Sequence, residues 1–514
     1  MSVSVSKANR ALLVPATPAV TNMFPDAPAL GEMRVLDHTM RETLLLRHLG
    51  FDVPNPMLLY YNFPGPDPAF SIQKTTCKLM TECPHCYVLN APGTGKTRTT
   101  LWAWDFLYGA GIAKKLLVVC KKSNLYDPWA REMFNVMPHR KFQVLYGSRE
   151  ERLERLAVDA DVYIINHDGL EVVRSELQAR ADIDAVAIDE LAAYRNNNDR
   201  SKIMRKFVRR FAWVWGLTGS PMPHEPTDAW GQAKIINPGS VPDYRTRFKE
   251  MVMEKKGPYR WVAKPDAVDK VYSILQPSVR FTLDDVTELP EVIYKDVTVE
   301  LTPDQKSAFK QISNACAAVI RGKTVTAANG GVALGKLLQV IGGWLYTNNP
   351  EFVRLDALPR IVSLVDIIEE TDRKVIVFVP YRHMLEGLSK IFSMKELKID
   401  HCMVHGDTPH REVIFNHFQG TSKYKVMLCH PITTSHGLTL TAADTIIWYL
   451  PVTSWETYEQ ANARIRRIGQ KHRHRVIHLI STPLERKIYK VLRERGDMQQ
   501  LLLDMVEEAT EEVA

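Results

Sequence analysis

Ala91-Pro92-Gly93-Thr94-Gly95-Lys96-Thr97 follows an apolar run, Tyr87-Val88-Leu89. It precedes a segment with Leu101, Trp102, Phe106 and Leu107 at mixed three- and four-residue spacings. Strand, glycine turn, then helix is the context that a phosphate-binding loop requires. Gly93 and Gly95 let backbone N–H groups, that of Thr94 included, close around phosphate oxygens with no Cβ in the way. Lys96 is placed to reach the β- and γ-phosphates of a nucleoside triphosphate, and the Thr97 hydroxyl to ligate Mg2+. Asn90 stands where the full pattern has its first glycine.

A second chemical signal lies downstream. Asp189-Glu190 ends an apolar strand pattern, Ala185 to Ile188. An acidic pair at the tip of a parallel strand faces the phosphate loop of the same sheet. Asp189 then holds the Mg2+ shell, and Glu190 orients and deprotonates the attacking water. A third signal is Gln460-Ala461-Asn462-Ala463-Arg464-Ile465-Arg466-Arg467-Ile468-Gly469-Gln470. Arg464 and Arg467 share a face if this segment is helical. Their rigid, permanently charged forks suit a γ-phosphate approached across an interdomain cleft.

The 514-residue length predicts two to four domains. From Phe70 to about Ile236, short apolar runs (116–120, 161–166, 185–189, 213–218) alternate with helical patterns, as in a parallel sheet covered on both faces. A second such set occupies 375–379, 426–429, 445–450 and 476–480. Between the sets the chain reads as mostly helical. The expected division is 1–68, an N-terminal extension and linker; 69–236, the first lobe; 237–346, helical protrusions; 347–495, the second lobe; and 496–514, a C-terminal helix and acidic tail. Met1 to Val20 reads as a loose tail because Pro15 and Pro18 interrupt it, and Thr39 to His48 as one helix.

Hydrophobic content of 45% and charged content of 24% suit a soluble globular chain. No apolar run reaches the length of a membrane span, so the expected location is the cytoplasm of a bacterial cell or phage-infected host. The formal charge of +7 is compatible with a polyanionic partner. Seven cysteines make no disulfide framework. Cys83-Pro84-His85-Cys86 has the look of half a zinc knuckle, but a second ligand pair is missing nearby.

With these residues in order, the chain resembles the Swi/Snf family of helicase superfamily two, of compact bacterial or bacteriophage type, from about Phe70 to Arg495. Gln73 matches the adenine-reading glutamine, and Lys96 and Thr97 match motif I. Lys122-Ser123-Asn124-Leu125, with Trp129 and Glu132, resembles motif Ia. Asp189-Glu190-Leu191-Ala192 matches motif II, except that the family usually has histidine where Ala192 stands; this leaves the strength of coupling to neighbouring motifs open. Thr218-Gly219-Ser220-Pro221 matches motif III, 437–444 motif V, and 464–470 motif VI, where Arg466 replaces the usual histidine.

The resemblance implies two tandem RecA-like parallel-sheet lobes of α/β class with helical insertions between them. It implies ATP and Mg2+ as cofactors, with Gln73, Gly93 to Thr97 and Gly437 holding nucleotide and Gln460, Arg464 and Arg467 joining Lys96, Asp189 and Glu190 in catalysis. It further implies translocation on double-stranded or branched DNA, as a monomer. Candidate contacts to the DNA backbone are Lys122, Ser123, Thr218, Ser220, His405, Gly406, Thr434 and Ser435. The N-terminal extension is either a partner contact or packing for the first lobe. An RNA or single-strand DNA helicase, and a non-hydrolysing ATP-dependent scaffold, are the competing readings.

Overall fold

A computed structural model describes residues 3–223, 225–257, 261–286, 290–321, 327–346, 352–434, 440–466, 470 and 472–494. The chain forms two compact units, Met1–Val286 and Thr287–Ala514.

The first unit opens with a four-stranded antiparallel sheet made by β1 (Ser4–Ser6), β2 (Ala11–Pro15), β3 (Ala29–Leu30) and β4 (Met33–Asp37), in the order β1-β2-β4-β3. Leu12, Val14 and Leu36 form its core with Val20, Leu46 and Val53. The loose tail expected over 1–20 is therefore corrected. Leu12 and Val14 alternate onto one face of a five-residue strand. Pro18, read as a breaker, is the first residue of the helix Pro18–Met23, where its missing N–H costs nothing. The helix Met40–His48 follows as expected. The segment joining this sheet to the first lobe packs on that lobe. Phe63 meets Trp102 edge-on at 5.4 Å between ring centroids, and Trp102 Nε1 donates to the Pro64 carbonyl at 2.8 Å.

The first lobe is a parallel sheet of β5 (His85–Val88), β6 (Lys115–Cys120), β7 (Phe142–Leu145), β8 (Val162–Asn166), β9 (Ile183–Asp189) and β10 (Trp213–Leu217). A small hairpin, β11 (Met253–Lys255) with β12 (Trp261–Ala263), precedes the edge strand β13 (Ser278–Val279). The sheet order is β13-β5-β10-β9-β6-β8-β7. Strands β6, β8, β9 and β10 lie within one or two residues of the apolar runs at either end, because strands covered on both faces read as continuous apolar stretches.

The second unit is also a parallel sheet. Its strands are β14 (Val292–Thr298), then, after the antiparallel pair β15 (Trp344–Tyr346) and β16 (Phe352–Arg354), β17 (Lys374–Phe378), β18 (His401–Val404), β19 (Val426–Cys429), β20 (Ala443–Trp448) and β21 (His474–Ile480). The order is β14-β21-β20-β17-β19-β18. Two long helices, Pro303–Arg321 and Ala327–Gly342, precede β15.

The block expected as protrusions, 237–346, is divided between the units. Phe248, Val252, Val271 and Leu275 enter the first lobe's core, and β13 pairs with β5 through Ser278↔Tyr87. Beyond Val286, β14 pairs with β21 over seven residues. Each sheet thus takes an edge strand from the connecting segment.

The second lobe has a buried ionic hub. Arg360, on the helix Leu358–Glu369, donates to the Tyr449 carbonyl at 3.0 and 2.6 Å, the Leu479 carbonyl at 2.9 Å, Ser481 Oγ at 2.7 Å and Glu485 Oε1 at 2.6 Å. The other Glu485 oxygen accepts from the backbone N–H groups of Ser481 and Thr482. The side chains of Arg360 and Glu485 are 2% and 0% exposed. Arg360→Met leaves the Glu485 carboxylate buried without its cation. It is expected to lower stability by about 3–5 kcal/mol in chemical denaturation, and the exchange of both residues for apolar ones is expected to recover most of that loss. An unchanged midpoint in the single variant would remove the pair from the hub.

Candidate active site

The phosphate loop hangs between β5 and the helix Lys96–Gly109. Gly93 and Gly95 both adopt left-handed backbone, with φ of 87° and 86°. A Cβ on Gly95 would lie 2.4 Å from Gln73 Nε2, so only glycine fits. Gln73, on the helix Ser71–Glu82, is buried beneath the loop: its Nε2 donates to the Thr94 carbonyl at 3.3 Å and its Oε1 accepts from the Phe70 N–H at 3.1 Å. Thr94 Oγ1 donates to the Ala91 carbonyl at 2.8 Å. The Lys96 ammonium lies within the loop, donating to the carbonyls of Asn90 and Ala91 at 2.7 and 3.1 Å. Thr97 sits half-buried in the first helical turn.

Asn90, the departure from the glycine pattern, has a structural role that the sequence did not reveal. Its amide Nδ2 donates to Thr76 Oγ1 at 2.9 Å, and its Oδ1 accepts from the Phe281 N–H at 2.9 Å. It fastens the loop to the helix below and to the chain leaving β13.

In the sheet order, β10 lies between β5 and β9. The ends of these strands bring Asp189, Thr218 and the phosphate loop to one edge. Thr218 N–H donates to the Val88 carbonyl at 3.0 Å, and Thr218 Oγ1 to the Ser220 carbonyl at 3.2 Å. Asp189 is 8% exposed. Its Oδ2 accepts from Trp129 Nε1 at 3.0 Å and Asn124 Nδ2 at 3.1 Å, and its Oδ1 from the Glu190 N–H at 3.1 Å. Burial and the Glu190 carboxylate raise its pKa above the ordinary value; the Trp129 and Asn124 donors and the Lys96 charge oppose them. Glu190 takes left-handed backbone, φ 55°, with one carboxylate oxygen 4.0 Å from Lys121 Nζ. Lys122 is exposed, its ammonium 5.0 Å from the Tyr146 ring centroid, and Ser123 Oγ donates to Asn124 Oδ1 at 3.3 Å.

A divalent cation fits this donor set. Thr97 Oγ1 and the Asp189 carboxylate are hard oxygen ligands. Among the described residues no group of three or more His, Cys, Asp or Glu side chains could hold a metal alone. One carboxylate and a hydroxyl completed by substrate phosphates is the arrangement that Mg2+ favours. Cys86, part of the apparent zinc half-site, and Cys77 are buried apolar-core residues whose thiols burial pushes up.

In the second unit, Gln460 is buried on the helix Trp455–Asn462, its Nε2 donating to Glu456 Oε1 at 2.9 Å. That helix ends at Asn462, so Arg464 lies in the following turn; Arg467, with which it is expected to share a helical face, lies outside the described residues. Arg464 Nε donates to the Gln460 carbonyl at 3.0 Å, and the Leu440 N–H to the Arg464 carbonyl at 3.0 Å. Gln470 Nε2 stands within 3.3 Å of the carbonyls of Thr441, Ala443 and Ile465. His405 and Gly406 form a turn beyond β18, where the His405 N–H donates to Thr408 Oγ1 at 2.9 Å. Ser435, Gly437, Arg467 and residues 496–514 lie outside the described residues, as does the Thr434 side chain.

Asn90→Gly restores the commoner loop residue but removes two buried hydrogen bonds. We expect a stability loss of about 1–3 kcal/mol and weaker nucleotide binding in a titration with a fluorescent ATP analogue. Wild-type behaviour would mean that the loop does not depend on this tether. His167, at the end of β8, has Nδ1 2.8 Å from the Tyr194 hydroxyl. Burial, then the charges of Arg200 and Lys121, lower its pKa from 6.5 to about 3. Between those values the unfolded chain takes up a proton that the folded chain refuses. Stability is therefore expected to fall as pH drops below 6.5 toward 3, at up to about 1.4 kcal/mol per pH unit, and less steeply in His167→Gln. Equal slopes in denaturation series at pH 7, 6 and 5 would contradict this.

Residues 74–341 match the SNF2-related domain and residues 355–469 the helicase conserved C-terminal domain. The chain is similar to "Putative protein p41" of Acyrthosiphon pisum secondary endosymbiont phage 1, 24% identical over 454 residues, spanning 81% of this chain and 93% of that protein. It is 23% identical over 441 residues to the ISWI chromatin-remodeling complex ATPase ISW1 of Saccharomyces cerevisiae, spanning 80% of this chain but 38% of the yeast protein. Among solved structures, the Hef helicase domain of Pyrococcus furiosus shares the fold with a TM-score of 0.50 at 15% identity, over 82% of this chain and 97% of that one. The Sulfolobus solfataricus SWI2/SNF2 ATPase core in complex with dsDNA aligns with a TM-score of 0.42 at 22% identity, over 87% and 97%. With more than half of its 514 residues inside the SNF2-related domain, the chain belongs to that family of helicase-like, DNA-dependent ATPases.

Proposed function

We propose that the protein is an ATP-hydrolysing motor that translocates on double-stranded DNA and remodels DNA or protein–DNA complexes by branch migration, reannealing or protein displacement. The observation that carries this reading is the meeting, at one edge of the first sheet, of the phosphate loop, the Asp189–Glu190 pair and the turn bearing Lys122 and Ser123. Placing a polyanion contact one side chain, Asn124, away from the Asp189 carboxylate is what a nucleic-acid-driven ATPase needs.

In this reading Lys96 leaves the loop carbonyls to take the phosphates, a short exchange of acceptors on one side chain. Gln73 keeps the loop in shape from below. Thr97 and Asp189 hold Mg2+, which when bound neutralises charge developing between the β- and γ-phosphates. Glu190 orients and deprotonates the attacking water. Arg464 and Arg467 supply the charge that stabilises the transferred phosphoryl group, and Gln460 acts with them in catalysis. Lys122, Ser123, Thr218, Ser220, His405, Gly406, Thr434 and Ser435 contact backbone phosphates without reading sequence.

The test is steady-state ATP hydrolysis without nucleic acid and with single-stranded DNA, duplex DNA, forked DNA or RNA. Stimulation by plain duplex is expected. Stimulation by RNA or single strands alone would transfer the protein to the helicase class, and no hydrolysis under any condition would make it a nucleotide-dependent scaffold. In Glu190→Gln, nucleotide binding is expected to persist while duplex-stimulated turnover falls roughly a hundred- to ten-thousand-fold. Normal turnover would show that Glu190 is not the base.

A further inference from the structure

We infer that Ser123, Asn124 and Trp129 form a relay that ties contact with a backbone phosphate to the placement of the Asp189 carboxylate. The inference rests on the motor reading above and assigns within it positioning residues that act through Asp189.

The geometry is continuous. Ser123 Oγ donates to Asn124 Oδ1 at 3.3 Å, and Asn124 Nδ2 donates to Asp189 Oδ2 at 3.1 Å. Trp129 Nε1 donates to the same Asp189 oxygen at 3.0 Å. Asn124 and Trp129 are 5% and 0% exposed, so neither donor has ready access to water as a substitute partner. Ser123 is half-buried and Lys122 beside it is exposed. One end of the relay therefore faces outward, beside a cation, and the other end is a carboxylate placed to hold a metal.

A serine hydroxyl has one proton to donate. When a phosphate oxygen takes it, Asn124 Oδ1 loses its donor, and the amide is free to re-aim the N–H that it gives to Asp189. Trp129 differs in kind. Its indole is fixed by complete burial five residues along the same segment, so its N–H sets a reference direction for the carboxylate while Asn124 adjusts. No covalent bond is made or broken: the Ser123 proton moves from Asn124 to the phosphate as a hydrogen bond, and the Asn124 donation to Asp189 is re-aimed. The adjacent ion pair of Lys121 and Glu190, at 4.0 Å, places the second acidic residue under the same segment's influence.

A relay of this kind is a coupling free energy between two binding sites, and it is reciprocal. The experiment measures the affinity of the full-length protein for a Mg2+-bound fluorescent ATP analogue by anisotropy, without and with saturating duplex DNA. The ratio of the two dissociation constants is the readout. In the wild type the duplex is expected to tighten nucleotide binding by about 5- to 150-fold, the usual range of such couplings. In Ser123→Ala and Asn124→Ala the ratio is expected to approach one. In Ser123→Thr, which keeps a hydroxyl, it is expected to stay near the wild-type value. Trp129→Phe keeps the packing and removes the N–H, and is expected to reduce the ratio as well. It also stands in if Asn124→Ala fails to fold by circular dichroism.

Wild-type ratios in Ser123→Ala and in either Asn124→Ala or Trp129→Phe would overturn the relay while leaving the motor reading intact. A wild-type protein that binds no duplex would remove the motor reading itself, and the relay with it. A duplex that binds but leaves nucleotide affinity unchanged in the wild type would overturn the relay alone.

Discussion

The first lobe is organised around the burial of one carboxylate. Taking Asp189 out of water at the end of a central strand costs several kcal/mol unless its oxygens find donors. Three N–H groups supply them, from Trp129, Asn124 and the Glu190 backbone. Hydrogen bonds to a charged acceptor contribute about 1.5–3 kcal/mol each, so three offset a penalty of that size. The consequence is positional. Residues 124 and 129 must lie against the end of β9, so the segment after β6 folds back over the sheet edge and carries Lys122 and Ser123 with it.

The second lobe solves a similar problem with opposite charge. Arg360 spends its guanidinium donors on the carbonyl at the end of one strand, the carbonyl near the end of another, a hydroxyl and Glu485. Glu485 in turn caps the start of the helix Pro483–Glu494 by accepting from Ser481 and Thr482. Gln470 does the same work without charge, collecting three carbonyls at the point where the chain leaves the helix Trp455–Asn462. In both lobes buried polar side chains, rather than apolar packing alone, decide where strands and helices stop.

Sequence patterns read the two sheets well because strands covered on both faces carry long apolar runs that few other structures need. They read the phosphate loop and the Asp189–Glu190 pair because each interrupts such a run with residues of specific chemistry. They failed on the N-terminal sheet, whose strands of two to five residues are half-exposed and separated by prolines and glycines. Arg464 falls in the turn after Asn462, a boundary that helical spacing alone does not mark. Asn124 stands in a recognisable motif yet carries no sign of its partner, which lies 65 residues away in sequence and is brought near only by the pairing of β6 with β9.

Ala192 gives these contacts their weight. Where a histidine at that position would offer a nitrogen to its surroundings, the buried Ala192 methyl offers none. The motif Asp189-Glu190-Leu191-Ala192 therefore has no side-chain donor or acceptor at its fourth position. Both side-chain donors to Asp189, Asn124 and Trp129, come from the segment following β6, and the third donor is the Glu190 N–H. The side-chain donors that reach Asp189 thus lie on the side of the sheet that carries the exposed lysine and the half-buried serine.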